Sequence, residues 1–459
     1  MNNKKKDVII VGFALFAMFL GAGNLIFPPY LGFNSGTAWP VNLLGFVLTG
    51  VGLPFLGIYS TIKSGGNVMT LGRYIGRGFS IFFGVAIILA IGPCFAIPRT
   101  AATTHEVGVM QFAPNLSPFV TSIVFFALVL FFCFNSAKVI DYIGKILTPF
   151  LMITLFTIVI LAVVKPIGTP VELTGDNVYN FAGSFTEGYQ TLDALAATMF
   201  CGTALASIVS RGYNTLKDQL NLTIYCGIIA AGLLAFVYGG LLYAGASASG
   251  TMTFPEDVTR PEMLIQIVHQ IFAGVATSWG PIGAGLLALA VSLACLTTAV
   301  GLVTTCAQYF NQLSNGKLSY RLVVVVTVAF SFIVSIMGVT WIINAAVPVL
   351  FLMYPVLIVL LIFTVFDKFI PNKNAYTGGV IGAFLISIID ALNTLKGGFG
   401  FDAPWIDSLV AFKSHIPFDS LGLAWIIPVA VLAIIASFLP RKRVDEEMTQ
   451  LVYFEEGTK

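Results

Sequence analysis

An apolar run opens at Val8, just after Lys4-Lys5-Lys6, and is long enough to cross a membrane. Midway it reads Gly21-Ala22-Gly23-Asn24 and then Phe27-Pro28-Pro29. A backbone N–H or C=O left unpaired in hydrocarbon costs several kcal/mol, so lipid-crossing segments are unbroken helices unless something satisfies the freed groups. Small ions and the charged ends of substrates are the usual occupants of such breaks, and the segment therefore points to a transporter.

The rest of the chain agrees with a membrane setting. Hydrophobic residues make up 57% of the 459 and charged residues only 10%, against about 25% charged in a soluble domain. The pattern predicts an all-α integral membrane protein, a single polytopic domain over 1–459 with short loops. Apolar stretches near 8–33, 39–62, 79–103, 118–135, 139–164, 189–210, 219–247, 281–312, 321–340, 342–366, 376–394 and 421–439 predict twelve transmembrane helices, followed by a tail at 440–459. Each has roughly the 17–25 residues or more that a ~30 Å core requires.

Threading these spans with the N-terminus inside leaves all but five of the 23 Lys and Arg on one side. The five exceptions are Arg99, Lys165, Arg260, Lys396 and Lys413, while more than half of the 21 acids fall on that opposite side. The positive-inside rule then places both termini in the cytoplasm and the chain in the cell (plasma) membrane. The six cysteines all lie within predicted spans without a CxxC pair, and read as small buried hydrophobes. A cleaved signal peptide ending near Gly23 is a competing reading of the start, opposed by the apolar Leu25-Ile26-Phe27 that continues the span.

Transporter folds often repeat a five-helix unit upside down, so an interrupted span 1 predicts an interrupted span 6. Span 6 is rich in small residues and carries Asp193, but has no Gly-x-Gly-Asn signature. Its Ala194–Thr198 stretch suits an unbroken helix packed through small side chains equally well.

Three strings, FALFAMFLGAGNLIFPPYLG (Phe13–Gly32), IGPCFAIPRTAATTHEVGV (Ile91–Val109) and GYQTLDALA (Gly188–Ala196), resemble those of the bacterial branched-chain amino acid:cation symporters of the BrnQ type. The resemblance covers all twelve spans. It implies uptake of L-leucine, L-isoleucine and L-valine coupled to Na⁺. It also implies, distantly, a LeuT-like fold with a 5+5 inverted repeat: repeat one over about 8–164, repeat two over about 189–366, broken helices 1 and 6, and two extra C-terminal helices over about 376–439.

In that distant comparison Gly21, Ala22, Gly23 and Asn24 look like the unwound segment that holds the substrate's amino and carboxylate groups. Asp193, Ala194, Leu195, Ala197 and Thr198 are the corresponding candidates in span 6. Ala294-Cys-Leu-Thr297-Thr298 is similar to the stretch that supplies sodium ligands, which implies an ion held by carbonyls of Ala17, Leu20 and Ala294 and the hydroxyls of Thr297 and Thr298. No arginine stands between Asn24 and Phe27, so the outer gate of the neurotransmitter class is not transferable, nor is its second sodium site.

The residues themselves permit these roles without requiring them. Ala294, Thr297, Thr298 and Gly301 share one helical face, and hard oxygens without a carboxylate suit an alkali cation. Threonines in membrane helices also commonly bond their own carbonyl one turn back. Asp193 is the most deeply placed acid, either drawing in a cation or substrate amine, or tied to a local N–H as an interfacial acid. Arg99, counted from the inner end of span 3, falls at the outer interface, where snorkelling or a pair with Glu106 is favoured over substrate contact. Pro93 and Pro98 predict a kink in that helix. His105, His269 and His415 are scattered and form no ligand cluster.

These readings converge on a secondary active transporter importing branched-chain amino acids by Na⁺-coupled alternating access, with Li⁺ or H⁺ as other coupling ions and membrane lipid as solvent. Another small neutral amino acid is the alternative substrate. A methylene is worth only ~1–3 kcal/mol in an apolar pocket, so leucine, isoleucine and valine are expected to be poorly separated. A passive channel lacks a filter motif or charged pore stripe. An enzyme lacks an HExxH, GxSxG or paired acids within a span, and nothing suggests a prosthetic cofactor or nucleic acid.

Overall fold

The computed structural model describes residues 2–134, 137–175, 178–255, 257–400 and 403–440, and all regular structure in them is helical. The predicted tail beyond Pro440 lies outside the described residues. The first span is broken where its sequence predicts: α1 (Asn2–Phe19) and α2 (Gly23–Phe33) meet at a 71° bend. Then follow α3 (Gly36–Ser64), α4 (Arg77–Val109), α5 (Pro118–Phe134) and α6 (Ala137–Val164).

The second half begins with a short α7 (Phe181–Glu187), whose first turn is capped by the Asn180 side chain accepting from Gly183 N–H. It continues with α8 (Asp193–Val209), α9 (Leu216–Ala248), α10 (Arg260–Ala273), α11 (Thr277–Leu313), α12 (Tyr320–Ser335) and α13 (Val339–Val365). The chain closes with α14 (Asn374–Gly398), α15 (Pro404–Lys413) and α16 (Ile426–Ser437).

Among the described residues, α3, α4, α9, α11, α13 and α14 are each long and apolar enough to cross a membrane, as the α1–α2 pair is when taken as one broken span. Large apolar side chains on six helices, Phe82, Phe119, Ile153, Ile228, Ile333 and Ile434, are about half exposed or more. So broad an apolar surface fits lipid and would not survive in water.

The join between the predicted spans 321–340 and 342–366 falls at Gly338, whose φ of +84° separates α12 from α13. A positive φ there favours glycine, and the first amide of the new helix, Val339 N–H, donates to the Glu106 carboxylate at 2.8 Å. This use of Glu106 corrects the expected pair with Arg99. Helix α4 runs past the predicted end at 103, and it kinks at Gly92 (φ −88°, ψ −119°) just before Pro93. The kink was legible in the prolines.

Helix α2 is held against α9 by direct backbone contact. A β-carbon on Gly32 would lie 1.9 Å from the Leu242 carbonyl oxygen, and one on Gly245 would lie 2.0 Å from that of Pro29. Small residues give van der Waals attraction the contact that hydrophobicity cannot provide between helices in lipid.

Candidate functional site

The freed backbone of the first break is on display. Gly21 N–H turns back to Phe19 O at 2.9 Å, and Leu25 N–H reaches Ala22 O at 3.2 Å. Among the described residues, the carbonyls of Ala17, Met18, Leu20 and Gly21 then have no backbone donor, and the N–H groups of Ala22 and Asn24 no backbone acceptor. Donors and acceptors thus surround one point in the bilayer.

Span 6 is broken as well, just ahead of its small residues. After α7 the chain passes through a 3₁₀ turn, Gly188–Thr191, and Leu192 takes the left-handed conformation with φ +66°. A non-glycine residue pays for that geometry through its neighbours. Here Thr49 of α3 packs so closely that a β-carbon on Gly188 would lie 1.9 Å from its Oγ1, and the same hydroxyl donates to Phe185 O at 2.8 Å. Asp193 therefore opens α8, where a negative charge meets the positive end of the helix dipole.

The two breaks share a cavity. Gly21, Ala22, Gly23 and Asn24 line it from the first, and Thr191, Leu192 and Asp193 from the second. Ile91, Ala96, Arg99 and Thr100 close it from α4, and Thr298 and Leu302 from α11. Met18, Phe19, Ala196 and Phe200 complete the apolar wall.

Asn24 binds the breaks to each other. Its Nδ2 donates to Phe19 O at 2.7 Å and to Asp193 Oδ2 at 2.6 Å, and it also meets the Tyr238 hydroxyl. Tyr238, fully buried on α9, donates to the same Oδ2 at 3.2 Å. Asp193 is 5% exposed, which sets aside its reading as an interfacial acid tied only to a local N–H.

Arg99 departs furthest from expectation. It is 4% exposed, and its guanidinium donates from Nη1 to Gln190 O at 2.6 Å and from Nη2 to Thr191 O at 3.4 Å. Counting residues along a straight helix put it at the outer interface; the carbonyls released by the second break supply the partners that let it stay inside.

Of the other span 6 candidates, Ala194, Leu195, Ala197 and Thr198 are buried but do not line the cavity. Ala194 and Ala197 pack on Gly57 of α3, and the Thr198 hydroxyl donates to Leu195 O at 2.7 Å. Ala196 and Phe200, on the face of α8 that carries Asp193, line it instead. Sequence reasoning missed both, although their spacing from Asp193 carried the signal.

In the expected cation cage, Thr298 faces the cavity beside the first break: a β-carbon on Gly21 would lie 3.8 Å from its Oγ1. Ala294 is buried on the same helix. The Thr297 hydroxyl donates within its own helix, to Ala294 O at 3.0 Å and Leu293 O at 3.3 Å. No group of three or more His, Cys, Asp or Glu side chains gathers among the described residues. The oxygens beside the break, from Thr298 and the freed carbonyls, are neutral, the kind of ligand that alkali cations accept.

Ion pairs stand on both broken helices. Arg260 of α10 reaches Glu187 at the end of α7 (2.9 Å) and lies over the rings of Tyr30 (4.5 Å) and Phe27 (5.4 Å). Tyr179 donates to the other oxygen of Glu187 at 3.2 Å. At the start of α1, Asp7 pairs with Arg211 at 2.8 Å and accepts from the Tyr213 hydroxyl at 3.2 Å.

Residues 4–443 match the profile of the family described as branched-chain amino acid transport protein. The chain belongs to this family. It is 36% identical over 457 residues to the branched-chain amino acid permease BraB of Bacillus subtilis, an alignment covering 96% of this chain and 98% of that one. The family's members are transporters, and this transporter is not an enzyme. Its fold resembles that of MHP1, a nucleobase-cation-symport-1 family transporter solved in a closed conformation, with TM-score 0.56, 13% identity, and coverage of 97% of this chain and 93% of that chain. A manganese transporter of Eremococcus coleocola also shares it, at TM-score 0.56 and 15% identity, covering 93% of this chain and 94% of that one. The transporter therefore has the helical fold of secondary transporters in a multi-pass membrane protein.

Proposed function

We propose that this transporter imports L-leucine, L-isoleucine and L-valine by Na⁺-coupled symport, using twelve spans in a 5+5 inverted repeat with two extra C-terminal helices. The observation that carries the reading is the meeting of two broken helices at one cavity whose charged lining residues are Asp193 and Arg99. An amino acid has an ammonium for the carboxylate of Asp193, which lines the cavity while its Oδ2 accepts from Asn24 and Tyr238. Its carboxylate meets the N–H groups of Ala22 and Asn24 at the start of α2. The branched side chain packs against Ile91, Ala96, Ala196, Phe200 and Leu302.

Na⁺ is held between α1 and α11 by carbonyls of Ala17, Leu20 and Ala294 and the hydroxyls of Thr298 and Thr297, the last turning from its own helix to do so. By joining the two helices the ion stabilises the arrangement in which the substrate cavity exists, and the coupling is reciprocal in affinity. Alternate breaking of the Arg260–Glu187 and Arg211–Asp7 pairs opens one side at a time. The Lys and Arg bias supports cytoplasmic termini and a plasma-membrane location.

In proteoliposomes, an inward Na⁺ gradient is expected to drive labelled leucine above its equilibrium level. Uptake indifferent to Na⁺, Li⁺ and H⁺ gradients alike would sink the symport reading. Thr298→Ala should raise the Na⁺ concentration for half-maximal uptake by about tenfold, the effect of losing about 1.4 kcal/mol of coordination. An unchanged value removes Thr298 from the ion site.

A further inference from the structure

We propose that Arg99 is the receptor for the substrate's α-carboxylate, and that the arriving carboxylate draws its guanidinium away from the carbonyls of Gln190 and Thr191. This rests on the substrate site proposed above and goes beyond it, because backbone N–H groups alone are enough to place a carboxylate there.

Three features of the structure lead to it. First, Arg99 is a buried cation whose hydrogen-bonding partners, Gln190 O and Thr191 O, are neutral dipoles. Buried charges are normally matched by an opposite charge in contact, and five guanidinium donors outnumber two carbonyls. Second, the group is aimed at the first break: a β-carbon on Gly23 would lie 2.7 Å from Arg99 Nη2, so the absence of a side chain at Gly23 admits the guanidinium. An anion lying there would also face the opening amides of α2, and a carboxylate has two oxygens to share between the guanidinium and those amides. Third, the nearest alternative is committed elsewhere. Arg260, which also lies over the Phe27 ring, is already paired with Glu187.

Two consequences follow. Selectivity for an α-amino acid over the corresponding amine comes from Arg99, just as selectivity over the corresponding carboxylic acid comes from Asp193. The carbonyls of Gln190 and Thr191, released when Arg99 turns, become acceptors for the substrate ammonium. The tether between α4 and the second break is thus exchanged for a substrate bridge, and closure depends on a zwitterion being present.

The test is equilibrium binding to the purified full-length protein in Na⁺, measured for L-leucine, L-leucinamide and 4-methylpentanoate. Wild type is expected to favour leucine over leucinamide by about a hundredfold, as befits a buried charge deprived of its partner. In Arg99→Gln that ratio should fall to near one, and Arg99→Lys should restore most of it. A ratio within one preparation is independent of how much of the protein is folded. Should Arg99→Gln bind neither ligand, Arg99→Lys decides: leucine preferred over leucinamide supports the proposal, and equal binding overturns it. Retention of the wild-type ratio in Arg99→Gln likewise overturns it. The underlying site is checked separately by Asp193→Asn, which should abolish the preference for leucine over 4-methylpentanoate; if it does and Arg99→Gln keeps its ratio, only the role of Arg99 fails.

Discussion

Replacing Asp193 with asparagine is expected to reduce leucine uptake to background while leaving a folded, monodisperse protein. The substitution preserves volume, and the new amide oxygen can still accept from Asn24 Nδ2, which now donates to Asp193 Oδ2 at 2.6 Å. The link between the breaks survives in shape. What disappears is the negative charge at the start of α8, leaving Arg99 as the one charged group lining the cavity. An arriving ammonium then meets a cation with no counter-charge. Removing one member of a buried charge pair costs about 3–5 kcal/mol, which corresponds to a loss of leucine affinity of about 100-fold or more. Initial uptake rates and equilibrium binding both report it, and wild-type affinity in Asp193→Asn would remove the carboxylate from the site.

A second large effect is expected far from the substrate. In Gly245→Ala the new β-carbon would begin 2.0 Å from the Pro29 carbonyl oxygen, and no rotamer can relieve a clash between Cβ and backbone. Helices α2 and α9 must separate, carrying the first break away from Tyr238. Alanine is intrinsically better in a helix than glycine by about 1 kcal/mol, but overpacking typically costs about 1–3 kcal/mol, and more where backbone must move. Gly232→Ala on the same helix is the control, since nothing lies within 4 Å of its β-carbon position. Thermal unfolding in detergent should show Gly245→Ala strongly destabilised and Gly232→Ala at or above wild type; equal stability of the two would contradict the packing described.

The two breaks differ in how far they could be read in advance. Gly21-Ala22-Gly23-Asn24 followed by Pro28-Pro29 announces the first, because these residues cannot easily continue a helix and hydrocarbon tolerates no unpaired backbone. The second lies at Gly188–Leu192, where Gly188 is the one poor helix former and no Gly-x-Gly-Asn or Pro-Pro string stands. It is imposed by tertiary contacts, Thr49 against Gly188 and Arg99 on two carbonyls. The small residues after it, Ala194 and Ala197, serve the tight packing that sequence offered as the rival explanation.

The burial of Arg99 is not legible in the sequence for one reason. Arg99 was placed by counting along a straight helix, and neither the kink at Gly92 nor the continuation of α4 to Val109 enters such a count. Arg260 shows a further limit. The absence of an arginine near Phe27 in sequence is filled in space from α10, more than two hundred residues away, a contact that only the folded chain reveals.

The central claim is that substrate binds between the two broken helices, and Ala196 offers a direct test because its small uncharged side chain lines that cavity on the same face of α8 as Asp193. In Ala196→Cys, reaction with a small thiol-modifying reagent should be slowed by L-leucine in Na⁺. The concentration giving half-protection should match that giving half-maximal uptake, and L-leucinamide should protect poorly. Protection with these properties is the predicted result. A modification rate unaffected by saturating leucine, in a variant that still transports it, would place the substrate somewhere else and contradict the account.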